Sequence, residues 1–111
     1  MEITPVTIQY YRTLAGRYPF REWFDALDEA VQEIIDARLV RVRRGLFGDA
    51  KPVGGGVFEL IFHVGPGYRV YGARDGKTVV ILLQGGHKKR QSDDIKTAWE
   101  YWADYLRRQR K

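Results

Sequence analysis

Lys51, Glu59, His63, Arg69, His87, Lys88 and Lys89 are the residues of this chain whose types could do chemistry together. Cleavage of an RNA backbone without a metal needs a group to take the proton of the 2′-hydroxyl, cations to stabilise the charge gained at phosphorus, and an acid for the leaving oxygen. In that scheme His87, Glu59 and His63 are candidates for the proton steps, and Lys51, Arg69, Lys88 and Lys89 for the charge. Arg44, Tyr71, Arg90 and Gln91 are candidate RNA contacts around them. The spacing alone is weakly specific. His87 also reads as an exposed turn residue, His63 as a structural strand-end histidine and Lys51 as a solvating loop charge. Arg69 and Glu59 also read as a surface ion pair worth about 0 to 1 kcal/mol.

Other chemistries find less support. The chain has no cysteine, which removes disulfides and thiol catalysis and fits a reducing compartment. Its two histidines are far apart and belong to no metal-ligand spacing, so no cofactor or metal is expected. Ser92, the one serine, reads as a helix cap, with Asp93 and Asp94 in the first turn behind it, rather than as a nucleophile. The glycine runs form neither a P-loop nor a GxGxxG motif opening a helix. The longest apolar run, VVILL, is far shorter than a membrane span or a signal sequence, so no membrane partner and a cytoplasmic location are expected. A net charge of +5 and a pI near 9.6 suit a polyanionic partner. The basic residues cluster at Arg38, Arg41, Arg43, Arg44 and Lys51, and again at Arg107, Arg108, Arg110 and Lys111, where a solvated tail could aid phosphate contact.

The elements that must position these residues lie mainly between Val53 and Ile95. Val57 to Val64 alternates, with Phe58, Leu60, Phe62 and Val64 on one face and Val57, Glu59, Ile61 and His63 on the other. The first face is expected to be core and the second open. Gly65, Pro66 and Gly67 mark a turn. A two-residue loop would bury Arg69 among the phenylalanines without a partner. A three-residue loop pairs Val64 with Tyr68 and His63 with Arg69, so that Arg69 stands beside Glu59, His63 and Tyr71 and its guanidinium emerges toward solvent, sharing a cationic groove with the lysines past the final strand. This is the expected register. Asp75 and Gly76 centre a second, tight hairpin between Arg74 and Lys77. Thr78 to Leu83 reads as a strand covered on both sides, after which Gly85 and Gly86 are expected to turn the backbone sharply. A helix follows from Ser92 to about Arg108, burying Ile95, Ala98, Trp99, Trp102 and Leu106.

Upstream, Ile3 to Arg12 reads as an edge strand and Phe20 to Leu27 as a short amphipathic helix. A longer helix from Glu29 to about Gly45 carries an apolar stripe of Ala30, Val31, Ile34, Ile35, Leu39, Val42 and Leu46, with Arg38, Arg41 and Arg44 opposite. A glycine-marked loop from Gly45 to Gly56 contains Lys51. At 111 residues, one domain spanning 1–111 is expected, an α+β fold with an antiparallel meander packed against helices.

Several of these segments together resemble a known group. Lys51 through Leu60, then GPGYRVY from Gly65 to Tyr71, then Leu82, Leu83 and GGHKKRQSDDI from Gly85 to Ile95, with PFREWFDAL from Pro19 to Leu27, are similar to the addiction-module killer proteins. These are a HigB-like branch of the RelE/ParE toxin superfamily, and the likeness covers about residues 3 to 106. The resemblance implies a β-α-α-β-β-β-α fold and a toxin of a type II toxin–antitoxin pair. It implies metal-free endoribonuclease cleavage of mRNA, usually on the ribosome, and neutralisation by a cognate antitoxin with a helix-turn-helix domain. The ParE branch shares the fold but inhibits DNA gyrase, so fold alone does not select the activity. Carried onto this chain, the resemblance points to Arg69 after the hairpin turn, to Lys88 or Lys89 beyond the last strand and to Lys51 before the meander. Two positions depart from the pattern. Ile61 stands where relatives commonly have a basic residue, and His87 stands where an acidic or small residue is expected. The rivals to an mRNA interferase are a gyrase inhibitor and a degenerate, non-catalytic binding module.

Overall fold

The computed structural model describes residues 3–109; Arg110 and Lys111 of the basic tail lie outside the described residues. The chain runs as β1 (Thr7–Tyr10), α1 (Pro19–Asp25), α2 (Glu29–Arg43), β2 (Ala50–Pro52), β3 (Val57–Phe62), β4 (Tyr68–Asp75), β5 (Val79–His87), a single 3-10 turn (Lys88–Arg90) and α3 (Gln91–Gln109). The five strands form one sheet in the order β1-β5-β4-β3-β2. The meander β3-β4-β5 is antiparallel as expected, and β1 joins β5 in parallel. The α+β class therefore holds, with one strand more than the sequence suggested. That strand, β2, lies within the segment read as a loop.

Helices cover both faces of the sheet. Phe20 and Phe24 of α1 and Ile35, Leu39 and Val42 of α2 pack on Leu60, Phe62, Val70, Val80 and Leu82. On the other face, Ala98 and Trp102 of α3 pack with Val57, Tyr71, Ala73, Ile81 and Leu83. The VVILL segment is thus covered on both sides, as its lack of polar alternation suggested. The second face of β3, expected to be open, lies beneath α3: Val57 and Glu59 are both buried. No helix among the described residues is long and apolar enough to cross a membrane.

Other expectations are also corrected. Phe62 pairs with Tyr68 and Ile61 with Arg69, so the first turn has five residues, from His63 to Gly67. The slip is two residues, which preserves the faces: Arg69 stays on the Glu59 side, while His63 leaves the sheet. The second turn, between Asp75 and Val79, contains Gly76, Lys77 and Thr78. Gly85 and Gly86 do not turn the chain; they continue β5 opposite Val70 and Arg69. They are glycines because of what sits on them. A Cβ at Gly85 would lie 2.2 Å from Trp23 Cε3, and one at Gly86 would lie against the Asp94 carboxylate.

In α2, Arg38 was placed on the exposed face, yet it is buried. Its guanidinium donates to the carbonyls of Phe47 (2.8 Å), Ile61 (3.0 Å) and Asp49 (2.6 Å) and lies over the Phe62 ring. One planar fork thus ties α2 to the connection into β2 and to the end of β3. Ile34 and Leu46, expected in the stripe, are exposed, as are Trp99 and Leu106 of α3.

Candidate functional site

The pairing registers place Lys51, Glu59, Tyr71 and Gln84 side by side across β2, β3, β4 and β5. A polar row this long under a helix is unusual in a buried layer, and the neighbouring row is Ile61, Arg69 and Gly86. A bulge makes the alignment possible. Tyr71 pairs with Gln84 and Gly72 with Leu82, leaving Leu83 as an extra residue, so that Leu83 packs in the α3 layer and Gln84 still reaches α3.

Glu59 is the centre of the row and has no solvent exposure. Its Oε2 accepts a hydrogen bond from Gln91 Nε2 at 2.8 Å and lies 4.0 Å from Arg69 Nε. Its Oε1 lies 3.8 Å from Lys51 Nζ. A carboxylate removed from water needs such partners, because desolvation otherwise outweighs what the charge gains. Arg69 is recessed, with its side chain 11% exposed, and does not emerge into open solvent as expected. Lys51 is the wet member of the trio, its side chain 56% exposed. Lys51 sits in a strand, directly opposite Glu59, rather than in a flexible loop.

The first turns of α3 close over this row. Gln84 Nε2 donates to the Asp94 carbonyl at 2.9 Å, and the Asp94 carboxylate fills the space above Gly86. Burial raises the Asp94 pKa, while the nearby positive charge of Arg90 opposes the rise. The Tyr71 phenol is pushed far up, first by burial and then by the negative charge of Glu59. Glu59 Oε1, Arg69 Nε, Tyr71 Oη, His87 Nδ1 and Asp94 Oδ2 are all buried without a hydrogen-bond partner. Four of the five, His87 apart, lie together between the sheet and α3, where buried polar atoms without partners call for an explanation.

The remaining candidates divide into two groups. Lys88, Lys89 and Arg90 form the exposed 3-10 turn after β5, and the Lys88 backbone N–H donates to the Gly67 carbonyl at 2.9 Å, which docks this turn beside the hairpin leading to Arg69. His87, the last residue of β5, pairs with Tyr68 and so belongs to the row on the α1 side of the sheet. Gln91 joins the cluster directly through Glu59. Besides His87, two candidates are not brought into the cluster. His63 projects from the β3–β4 turn, its side chain 78% exposed, and pairs with Asp49 at 2.6 Å. Arg44 caps the C-terminus of α2, in the layer on the opposite side of the sheet from Arg69.

A cleft of about 440 Å³ runs between β2 and the start of α3, lined by Lys51, Pro52, Val53, Gln91, Ser92, Ile95 and Trp99. Lys51 and Gln91 belong to both the cleft and the buried cluster. Reasoning from the sequence missed Gln84 and Asp94, and read Trp99 as a core or interface residue rather than a base-stacking platform. For Asp94 the signal was available in Gly86, whose missing side chain makes room for the carboxylate on α3.

Comparison with known proteins identifies relatives of this chain. A family model described as "Phage derived protein Gp49-like (DUF891)" matches residues 22–100, a span that contains the whole cluster. An "Uncharacterized protein" of Haemophilus influenzae (strain ATCC 51907 / DSM 11121 / KW20 / Rd) is 43% identical over 94 residues, covering 84% of this chain and 91% of the relative.

Proposed function

The chain belongs to the Gp49-like family of phage-derived proteins, and from that premise we propose that it is the toxin of a type II toxin–antitoxin pair, an mRNA endoribonuclease that works without a metal. The observation that carries this reading is the Lys51–Glu59–Arg69 cluster, a buried carboxylate between two cations at the mouth of a cleft. The resemblance of the GPGYRVY and GGHKKRQSDDI segments to HigB-like proteins of the RelE/ParE superfamily supports the same activity.

The geometry changes the division of labour among the candidates. Glu59, with no exposure, has no direct access to a substrate; it holds Lys51 and Arg69 in place. Lys51 and Lys88 are the exposed cations that meet the scissile phosphate, and Arg69 adds positive potential from beneath. His87, half-buried beside Lys88, lies in the α1-side row and not in the Lys51–Glu59–Arg69 cluster; we assign it one proton step at the Lys88 end of the site. Lys89, Arg90 and Gln91 extend the RNA contact, and the partner that silences the protein is a small antitoxin carrying a helix-turn-helix domain.

The test is to incubate purified protein with end-labelled mRNA, with and without translating ribosomes, in the presence of a chelator. The expected products are discrete fragments, lost in Lys51→Ala and Lys88→Ala variants. Growth arrest without any RNA cleavage would overturn the nuclease. The burial of Glu59 and Arg69 favours a second reading, a toxin that binds a protein target such as DNA gyrase and cuts nothing. Gyrase-dependent DNA breaks in the presence of the purified protein are the mark of that reading.

A further inference from the structure

We propose that the cleft between β2 and α3 is a nucleobase subsite, in which Trp99 stacks on one unpaired base of the bound RNA while Lys51 holds the adjoining phosphate. The inference deepens the ribonuclease reading and rests on it. Helical spacing places Trp99 in the buried stripe of α3, but the residue is 42% exposed. Its indole is not loose. Nε1 donates to the carbonyls of Val53 (3.2 Å) and Gly54 (3.0 Å), which fixes the ring plane at the cleft wall. The Gly54–Gly55 backbone packs against the indole so closely that a Cβ at Gly55 would lie 2.9 Å from Trp99 Cδ1 and 3.3 Å from its Nε1.

Gly54 and Gly55 take positive φ values of 90° and 63°, a backbone form that L side chains resist, so this support is specific to glycine. A large aromatic held rigidly at the surface, 42% exposed and with its N–H already satisfied, has only its remaining ring surface to offer to the cleft it lines. That is what a base-stacking platform requires, and stacking tolerates any base because every base has a π face. The rest of the cleft suits the same occupant. Ile95 adds an apolar contact, Ser92 and the free amide oxygen of Gln91 are polar groups of the lining, and the exposed Lys51 ammonium supplies the charge that a phosphate needs. Because Lys51 also contacts Glu59, a nucleotide in the cleft is continuous with the one at the cluster.

The experiment measures binding of single-stranded 2′-O-methyl RNA, which cannot be cleaved by attack of its own hydroxyl, by fluorescence anisotropy with and without ribosomes. Wild type, Trp99→Phe and Trp99→Leu proteins are compared. Stacking predicts a roughly ten- to hundredfold loss of affinity in Trp99→Leu and most of the affinity retained in Trp99→Phe. A protein-independent control uses wild type with oligonucleotides carrying one abasic position at a time, where a single position should reproduce the loss even if Trp99→Leu folds poorly. If a well-folded Trp99→Leu protein binds and cuts RNA like wild type, and no single abasic position matters, the subsite is wrong while the nuclease stands. If wild type binds no RNA under either condition, the nuclease reading fails, and the subsite with it.

Discussion

Lys51 and Glu59 face each other across the β2–β3 ladder, the ammonium 3.8 Å from a carboxylate oxygen, with one side chain largely in water and the other with no exposure at all. A pair so divided has two functions that mutation can separate. The wet partner can leave to meet a substrate, while the dry one cannot.

Lys51→Ala is therefore expected to lower RNA cleavage by roughly 100-fold, the usual effect of removing one charge-stabilising group from a reaction centre. The circular dichroism spectrum should not change, since the lost side chain is mostly solvated. Single-turnover cleavage of a labelled mRNA measures the first quantity. A variant that cut at the wild-type rate would remove Lys51 from the site.

Glu59 is a matter of stability. Glu59→Leu leaves Arg69 recessed with no nearby carboxylate from this pair and takes the acceptor from Gln91, so a loss of about 3–5 kcal/mol is expected. Glu59→Gln keeps the shape and should lose less. Urea denaturation of the two variants gives the comparison, and wild-type stability in Glu59→Gln would contradict the ionic role.

Arg38→Met should destabilise the fold by about 2–4 kcal/mol, because three carbonyl oxygens lose a charged donor while only the packing on Phe62 is retained. Arg38→Lys is expected to recover little of this, since a single ammonium cannot reproduce the three-pronged fork. The midpoint of thermal unfolding reports both.

Alkaline pH should loosen the junction of the N-terminal strand and the last helix. Tyr11 donates to Asp104 at 2.6 Å, and burial, reinforced by that bond, pushes the phenol up to about 12. Its ordinary value is about 10. A raised pKa means that the neutral form is favoured in the fold, so its contribution is complete below about pH 10 and is lost as pH rises through about 12. Asp104 has the opposite sign. The Tyr11 bond and then Arg108 hold its carboxyl below the usual range, so its contribution is present at neutral pH and fades in strong acid. Thermal melts of wild type and Tyr11→Phe across this range should converge at the alkaline end.

Gly86→Ala tests the seat of α3. The added methyl would collide with the Asp94 carboxylate, so a loss of about 1–3 kcal/mol is expected, together with reduced protection from hydrogen exchange in the first turn of the helix. Unchanged stability and exchange would show that the carboxylate moves aside freely.

Much of the sheet was legible in the sequence because alternation and turn glycines are local signals. The parity of β3 placed Arg69 on the Glu59 side even though the register slipped by two residues, since facing depends only on odd and even positions. What escaped was non-local. Lys51 lies in a three-residue strand with Pro52 at its end, too short to show a period. Gly85 and Gly86 read as a turn because the partners that require them, Trp23 and Asp94, are distant in sequence. Arg38 sits at a helical position that looks polar and outward, and only the carbonyls gathered from the β2 connection and β3 explain its burial. Trp99 has the spacing of a core residue, and the glycines that hold it at the surface reveal their purpose only in three dimensions.

The parallel pairing of Thr7–Tyr10 with Val79–Leu82 has a consequence for the birth of the molecule. During synthesis the first strand has no neighbour until nearly the whole meander has left the ribosome, and non-local pairings of this kind form late and slowly. Gln91, which clasps Glu59, is made later still. A nascent chain therefore completes the buried cluster only after β5 and the first turn of α3 have both been made.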